Sequence, residues 1–463
     1  MKMTKKGRLC RSILWGVTLC VMAFLLFAHT YNDIVITTRH GLNFWKLLFD
    51  GDILRFFQLD RMPSGNAAYM HPQGCSYSIL VYILFAVWNI PLALLETFAN
   101  VDVMNNVLCL AYMKLLPITA MFLSAYLLRK IILLFSVPEE KADLLIYLFL
   151  SSSVMLSIVF VVSQYDTLSL VFQLLGLYAF MRKKDGQFIF WFGIAFCFKF
   201  FSLILFLPLL VLRHKKLLSW IKSLVLMILP WVLCKIPFSF GINDMYGDLM
   251  TGEVYAMGLG ETLLSYSNSY MSLFVIAYVL LLVWCYLQDP DSETLSFKAI
   301  WAGLVSYAAF AGLLETFPYW HILLMPFLIL SMAVTPRYFH INLLLETFGL
   351  SLLTLANILK YNWNYFGDTM DTMLMPHLLG HADYEGSLIY SLIQGLSNSP
   401  VIYPALNSVF IGAMCAMAFL TYPRGSGLAP EGWQEQQEPW DLLILRSVLS
   451  CGLCLLPVLS LFL

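Results

Sequence analysis

Three ionisable side chains lie inside or directly beside apolar runs, where a charge is costly and therefore indicates a function. Asp33 comes just after an apolar run, and Asp166 separates two apolar segments almost without a loop. Lys199 lies within the apolar segment 187–212. A carboxylate in such a place can accept a proton as a general base, and a buried ammonium needs an anion such as a phosphate or a carboxylate.

Asp33 belongs to the long polar stretch 30–76, in which aromatic residues then recur at helical spacing over residues 42–57. This pattern predicts an amphipathic helix that lies in the membrane interface. Asp33 is then either a site residue at the outer membrane surface or a helix-end residue of a docked loop. Arg39 and His71 would add charge to such a site, unless they are ordinary solvated loop positions.

Asp166 and Lys199 each have a structural alternative. Asp166 can lie in a water-filled pocket, cap the helix that begins near Thr167, or pair with a cation. Gln164 stands two residues before it. Lys199 can bind the anion of a ligand or form a structural pair with an acid such as Asp166.

A fourth candidate group opens a later apolar helix with Pro318, Tyr319, Trp320 and His321. Proline and aromatic residues are ordinary at the start of a membrane helix. The same residues would also suit a pocket for a sugar or a lipid phosphate. The sequence leaves both interpretations open.

The elements that must position these residues are transmembrane helices. Of 463 residues, 60% are hydrophobic and 12% are charged, and the net charge is −1. These values exclude a soluble enzyme, a disordered chain and a nucleic-acid binder with a basic surface. Most of the ten cysteines lie in or beside apolar runs, which argues against a disulfide framework. The pair Cys451 and Cys454 has no partner pair for a zinc site.

The sequence predicts an all-α polytopic bundle of about 11–13 spanning helices, since one span needs ~20 apolar residues. The candidate segments are 12–29, 77–98, 107–128, 144–162, 167–181, 187–212, 217–236, 267–287, 299–314, 319–335, 338–358, 400–421 and 440–462. Basic residues ahead of the first segment place the N-terminus in the cytoplasm of a plasma-membrane protein. The acidic stretches 237–266 and 360–399 then suit the outer face, as does the stretch 30–76.

The basic clusters 182–184 and 213–216 should both be cytoplasmic, yet too few residues separate them for two full spans. Residues 187–212 would therefore form a short hairpin, unless the positive-inside rule fails here. Such a hairpin would have Lys199 at its tip and would mark a functional cavity.

Taken in order, these features resemble the GT-C class of membrane glycosyltransferases, in particular its bacterial, mannosyltransferase-like members. Asp33 and the stretch 42–57 are similar to an outer loop with an acid and interfacial helices. The segment Ser163-Gln164-Tyr165-Asp166 resembles a Gly-Gln-x-Asp motif, and Lys199-Phe200-Phe201 resembles Lys-Phe-Gln with Phe201 in place of Gln. Pro318-Tyr319-Trp320-His321 is similar to a later motif. The resemblance covers residues 1–335, and residues 336–463 would add further helices.

The resemblance implies inverting sugar transfer from a polyprenyl phosphate to a glycan, lipid or protein acceptor at the outer face. Asp33 would be the catalytic base, and Lys199, with Arg39 or His321, would balance the charge of the lipid phosphate. Asp166 would orient the acceptor or bind a divalent cation. His71, Gln164, Tyr319 and Trp320 would complete the substrate site.

Two other classes of protein stay open. A lipid-linked solute transporter or flippase would also bury Asp166 and Lys199 as a pair, although no internal repeat supports it. A non-catalytic assembly subunit would tolerate loss of all these residues. No metal-ligand spacing is tight, and His377 and His381, four residues apart, form the only weak candidate pair.

Overall fold

The computed structural model describes residues 5–61, 75, 77–239, 263–266, 269–366, 370–374, 384, 386–424, 430–433 and 436–462. Over these ranges the chain forms a bundle of α-helices with two small antiparallel strand pairs. The predicted all-α class is therefore confirmed. His71, His377 and His381 lie outside the described residues.

The first half of the bundle contains eleven helices within the described ranges. They are α1 (Lys5–Ala28), α2 (Asn32–Phe49), α3 (Ile79–Trp88), α4 (Ile90–Ala99), α5 (Val107–Leu133), α6 (Glu139–Leu150), α7 (Ser153–Leu156), α8 (Thr167–Met181), α9 (Asp185–Phe198), α10 (Ser202–Arg213) and α11 (Leu217–Ser239). A 3-10 segment, Ile53–Arg61, follows α2, and a π-helical segment, Ser157–Val161, continues α7.

The second half continues the same bundle. Its helices are α12 (Leu273–Leu287), α13 (Leu295–Leu313), α14 (Met325–Val334), α15 (Phe339–Lys360), α16 (Leu388–Ser397), α17 (Ile402–Leu420) and α18 (Trp440–Leu459). Short 3-10 segments are Pro318–Leu323, Pro336–Tyr338, Asn362–Asn364 and Pro430–Trp433. Strand β1 (His29–Tyr31) pairs with β4 (Met370–Thr372), and β2 (Leu263–Tyr266) pairs with β3 (Ser269–Ser272).

Seven helices in the described part of the chain are long and apolar enough to cross a membrane. The number becomes nine if the bent pairs α3–α4 and α6–α7, with bends of 60° and 51°, each form one span. The chain thus has the helices of a multi-pass membrane protein. Several of the thirteen predicted segments are instead shorter apolar helices, such as α8, α9 and α10.

Ion pairs and hydrogen bonds define the two ends of the bundle. At one end, Arg11 of α1 donates to the backbone of Glu140 at 2.7 Å, and Arg129 of α5 bonds Asp143 at 2.8 Å. We call this the basic end. Near the opposite end, Lys114 of α5 is fully buried. Its ammonium donates to the carbonyls of Leu25, His29 and Phe160 at 2.7, 2.5 and 2.8 Å.

These contacts show that helices α3 and α4 do not cross the bundle, which corrects the predicted span at 77–98. Tyr77, just before α3, lies beside Lys199 at the end opposite the basic end. Helix α5 begins at that same end, because Lys114 in its second turn reaches the end of α1. The chain therefore enters and leaves α3–α4 on one side, as a re-entrant pair. Arg129 then falls at the basic end without conflict with the positive-inside rule.

Helices α9 and α10 form the short hairpin predicted for residues 187–212. Asp185 at the start of α9 bonds Arg213 at the end of α10, with an Nε–Oδ1 distance of 3.0 Å. The hairpin is thus closed at the basic end. A helix of 14 residues is about 21 Å long, shorter than a hydrocarbon core of ~30 Å. Lys199 lies at the tip, as predicted.

Helix α2 differs from the predicted interfacial helix 42–57. It already begins at Asn32, so Asp33 belongs to its first turn, and it ends at Phe49. Much of its length is buried against α3: Trp45 donates to the carbonyl of Ala86 at 2.8 Å. A Cβ at Gly41 would lie only 2.8 Å from the backbone nitrogen of Ala86, so glycine permits this close approach. The predicted helix is therefore in part a core element.

Candidate functional site

Four polar side chains from distant parts of the sequence meet at the end of the bundle opposite the basic end. The Asp33 carboxylate accepts a hydrogen bond from Gln164 Nε2 at 2.6 Å. Lys199 Nζ lies 2.9 Å from Asp166 Oδ1. The charge of Lys199 acts on Asp33 as well as on Asp166, so the two pairs form one cluster. The end of α1, the turn before α8 and the tip of α9–α10 position it.

The turn 162–166 holds Gln164 and Asp166 by an unusual backbone. Ser163 has a φ of 56°, in the left-handed region that glycine adopts most easily. The motif that this segment resembles has glycine at the same position, which the conformation explains. Gln164 is fully buried, and its Oε1 has no hydrogen-bond partner among the described residues. The turn thus presents one amide to Asp33 and keeps an acceptor for another donor.

Asp166 does not cap helix α8, although it stands at the N-cap position. Its φ and ψ are −62° and −18°, and its side chain accepts no capping hydrogen bond. The carboxylate is directed to Lys199 instead, and only 2% of the Asp166 side chain is exposed. Of the three interpretations from the sequence, pairing with a cation is the one that the structure has. Its Oδ2 lacks a hydrogen-bond partner among the described residues.

Lys199 lies between two tyrosine rings. Its backbone is extended, with φ −154° and ψ 123°, because it ends α9 at the hairpin tip. The ammonium lies 5.2 Å from the ring centroid of Tyr77 and 5.5 Å from that of Tyr319. Aromatic faces at such distances attract a cation. The side chain remains 11% exposed, so it can meet a ligand at its open side.

Tyr77 is a site residue that the sequence analysis missed. Its backbone N–H donates to Tyr82 Oη at 3.1 Å, and its ring packs edge-on against Tyr165 at 5.5 Å. The hydroxyl of Tyr165 in turn bonds Thr37 of α2 at 2.9 Å. A single tyrosine between two polar stretches gives no periodic signal. Only the packing of α3 against α2 brings it to Lys199.

Other predicted site residues lie apart from Asp33 and Lys199. Arg39 bonds Glu96 of α4 at 2.5 Å. Both ring nitrogens of His321 are occupied, by Thr316 at 2.8 Å and by Asn357 at 3.1 Å, so His321 braces the helix start.

Trp320 is buried against Phe201, with ring centroids 4.3 Å apart. Phe201 stands where the resembling motif has Gln, and its ring supplies packing in place of a polar contact. Of the aromatic segment that begins at Pro318, only Tyr319 reaches the cluster.

The local environment acts on the acidity of Asp33. Burial raises the pKa of Asp33 above its usual range, because the charged form loses hydration. The hydrogen bond from Gln164 and the charge of Lys199 oppose this by stabilising the carboxylate. A raised pKa makes a carboxylate a stronger base, which suits proton abstraction from a hydroxyl.

We expect the substitution Gln164→Leu to move the acid limb of the pH–activity profile to higher pH. The base form of Asp33 is required, and loss of the amide removes an interaction that lowers its pKa. Protonation then begins at a higher pH, and activity falls earlier on acidification. Profiles of kcat/KM for wild type and variant would measure the shift. A matched change at a distance, Gln288→Leu at the end of α12, should leave the limb in place.

The described residues contain no group of three or more His, Cys, Asp or Glu side chains that could hold a metal ion. The oxygen donors at the cluster are two carboxylates and the Gln164 carbonyl, and Lys199 already supplies positive charge to both acids. The divalent cation considered for Asp166 stays a prediction.

Comparison of the chain with protein-family models, with curated proteins and with solved structures found no match. The functional argument therefore depends on the residues and their geometry.

Proposed function

We propose that this protein is a membrane glycosyltransferase that moves a sugar from a polyprenyl-phosphate donor to a hydroxyl acceptor. The observation that carries the proposal is the meeting of Asp33, Gln164, Asp166 and Lys199 in one cluster. These are the residues that carry the resemblance to the GT-C class, and more than 160 positions separate the first from the last: 199 − 33 = 166.

The place of the cluster in the bundle supports an outer-face reaction. Arg11, Arg129 and Arg213 lie at the opposite end, together with the connectors 182–184 and 213–216. By the positive-inside rule the basic end is cytoplasmic, so the cluster faces the outer leaflet. A lipid-anchored donor can approach there without a nucleotide-binding domain.

In the proposed reaction the acceptor oxygen attacks the anomeric carbon of the donor sugar. Its proton passes to the Asp33 carboxylate, which Gln164 holds in place. The bond between the anomeric carbon and the phosphate oxygen breaks, and its electron pair leaves with the polyprenyl phosphate. Lys199 stabilises the negative charge that develops on that oxygen. The configuration at the anomeric carbon inverts in this single displacement.

The unsatisfied acceptors of the cluster suit a hydroxyl-rich ligand. Asp166 Oδ2 and Gln164 Oε1 are buried and lack hydrogen-bond partners among the described residues. Buried acceptors are normally bonded, because an unmade hydrogen bond costs about 1–3 kcal/mol. Sugar hydroxyl groups are donors that would satisfy both. A purely apolar ligand would leave them unpaired.

The Asp166–Lys199 pair also favours a second candidate, a lipid-linked solute transporter or flippase. A buried pair at 2.9 Å can couple two states by opening and closing. A transporter would not need Asp33, however, and would cleave no donor. The two proposals therefore differ in whether Asp33 is required.

A labelled-lipid assay tests the proposal. Purified protein in nanodiscs is given polyprenyl-phosphate sugars, and release of polyprenyl phosphate is followed by mass spectrometry for wild type and Asp33→Asn. Release that requires Asp33 supports the enzyme. Flux in proteoliposomes that proceeds without donor cleavage, and equally well in Asp33→Asn, would instead establish the transporter.

We expect Lys199→Ala to weaken donor binding more than acceptor binding. A hydrogen bond to a charged group contributes about 1.5–3 kcal/mol, so the donor KM should rise by about 10- to 100-fold. Because the variant also leaves Asp166 unpaired, the double variant Asp166→Asn/Lys199→Ala is the control for that penalty. Lys199→Arg keeps the charge and should retain part of the affinity. An unchanged donor KM in all three variants would remove the phosphate role of Lys199.

A further inference from the structure

A strip of aromatic rings leads from Lys199 toward the surface of the bundle. Tyr319, 5.5 Å from the ammonium, is nearly parallel to Phe317, at an angle of 7° and a centroid distance of 5.5 Å. Phe317 meets Trp363 edge-on at 6.2 Å. Trp363 lies 6.4 Å from Tyr31, two residues before Asp33. The strip therefore begins and ends beside the reacting cluster.

The strip has a buried back and an open front. Trp320 packs behind Tyr319 and Phe317, and Tyr361 packs behind Phe317 and Trp363, and both are only 7% exposed. In contrast, Trp363 is 39% exposed, and Phe317 and Tyr319 are half-buried. Rings held rigidly from behind, with a free face in front, form a surface that can receive a flat ligand at little cost in side-chain entropy.

Charged groups flank the strip. Glu315, two residues before Phe317, forms an ion pair with Lys360, three residues before Trp363. Both side chains are about a quarter to a third exposed, at 26% and 30%. Carboxylate and ammonium groups beside aromatic rings offer acceptors and donors to hydroxyl groups at the edge of a ligand. The combination fits a ligand with an apolar face and a polar rim.

We propose that this aromatic strip binds the sugar rings of a saccharide, and that the acceptor of the transfer is therefore a glycan. The inference rests on the proposed function, since the strip adjoins the proposed base. The C–H face of a pyranose ring packs on an aromatic face, and its hydroxyl groups reach the polar rim. Tyr31 and Trp363 would place the terminal acceptor sugar next to Asp33.

A membrane belt is the other explanation for exposed aromatic residues. Belt residues direct their rings into the lipid headgroups and need no contact with one another. Here the rings contact each other in sequence and close on Tyr31 beside Asp33. This arrangement favours a ligand site over an anchor.

Saturation-transfer NMR on the protein in nanodiscs tests the proposal, with mannotriose, maltotriose and chitotriose as probes. We expect at least one trisaccharide to bind wild type. We also expect Trp363→Ala to lose about tenfold in affinity, the equivalent of one aromatic contact. Trp363→Phe should lose less. The matched control is Phe98→Ala, at the end of α4, where an 80% exposed ring lies outside the strip. It should bind like wild type.

Two outcomes would overturn the strip as a saccharide site: no trisaccharide binds wild type, or Trp363→Ala binds as tightly as wild type. A loss only of vesicle association in Trp363→Ala would show a membrane anchor instead. Donor cleavage that requires Asp33, without saccharide binding, would leave the proposed enzyme intact and refute the glycan acceptor. Saccharide binding without donor cleavage would refute the acceptor role and favour a transporter.

Discussion

The substitution Asp33→Asn should abolish sugar transfer while the protein folds as wild type does. Asparagine keeps the shape of the side chain and can still meet Gln164, but it cannot accept the proton of the acceptor. General-base catalysis contributes about 10²- to 10⁴-fold, so kcat should fall by at least that range. The assay follows release of polyprenyl phosphate and formation of glycosylated acceptor. Thermal unfolding in the same detergent would show that the fold is retained.

Asp52→Asn is the matched control, since it makes the same chemical change about one helix length further along the chain. Its carboxylate is 53% exposed and lies 3.9 Å from Arg55. This variant should transfer sugar like wild type. If a well-folded Asp33→Asn protein also transferred sugar at the wild-type rate, Asp33 could not be the base. The cluster would then have to be interpreted as a transport or structural site.

The largest effect on stability should come from Arg446→Met. The Arg446 guanidinium bonds both carboxylate oxygens of Glu346, at 2.8 and 2.6 Å, and both side chains are almost fully buried. It also donates to Ser151 Oγ at 2.7 Å and to the carbonyl of Leu148 at 2.6 Å. These two acceptors lie at the break between α6 and α7. One arginine thus joins three helices.

Removing one partner of a buried ion pair destabilises by about 3–5 kcal/mol, because the other charge stays buried and unpaired. Arg446→Met should lower the free energy of unfolding by that amount, measured by denaturant unfolding in detergent. The double variant Arg446→Met/Glu346→Leu should recover much of the loss, since neither charge remains. Arg55→Met removes an exposed pair, which contributes about 0–1 kcal/mol, and is the control.

If Arg446→Met and Arg55→Met unfolded at the same denaturant concentration, the buried pair would have no structural role. A double variant that is less stable than Arg446→Met alone would show that the pair is needed for more than mutual neutralisation. The Ser151 and Leu148 contacts at the bend would be the first to test in that case. Ser151→Ala removes one of them without leaving a charge.

The sequence was sufficient to predict a polytopic helical protein and the hairpin with Lys199 at its tip. Both depend on local properties. Apolar runs of membrane length predict helices in any lipid bilayer. Two basic clusters too close for two spans require a hairpin, whatever the neighbouring helices are, because the distance is set by the rise per residue.

Partners between helices could not be predicted in the same way. Asp166 had three interpretations from the sequence, and the contact with Lys199 depends on how α8 and the hairpin pack. Lys114, Glu346 and Arg446 lie inside apolar segments that gave no hint of their acceptors. In helices that are apolar on all sides, the sequence pattern does not indicate which face meets which neighbour.

The re-entrant path of α3–α4 was also decided by tertiary structure alone. Residues 77–98 have the length and composition of a span, and only the position of Tyr77 beside Lys199 and of Lys114 beside α1 shows that both ends lie together. Composition states how much apolar surface a segment must bury. Whether lipid or other helices cover that surface depends on the packing of the whole bundle, and so does the meeting of Asp33 with Gln164.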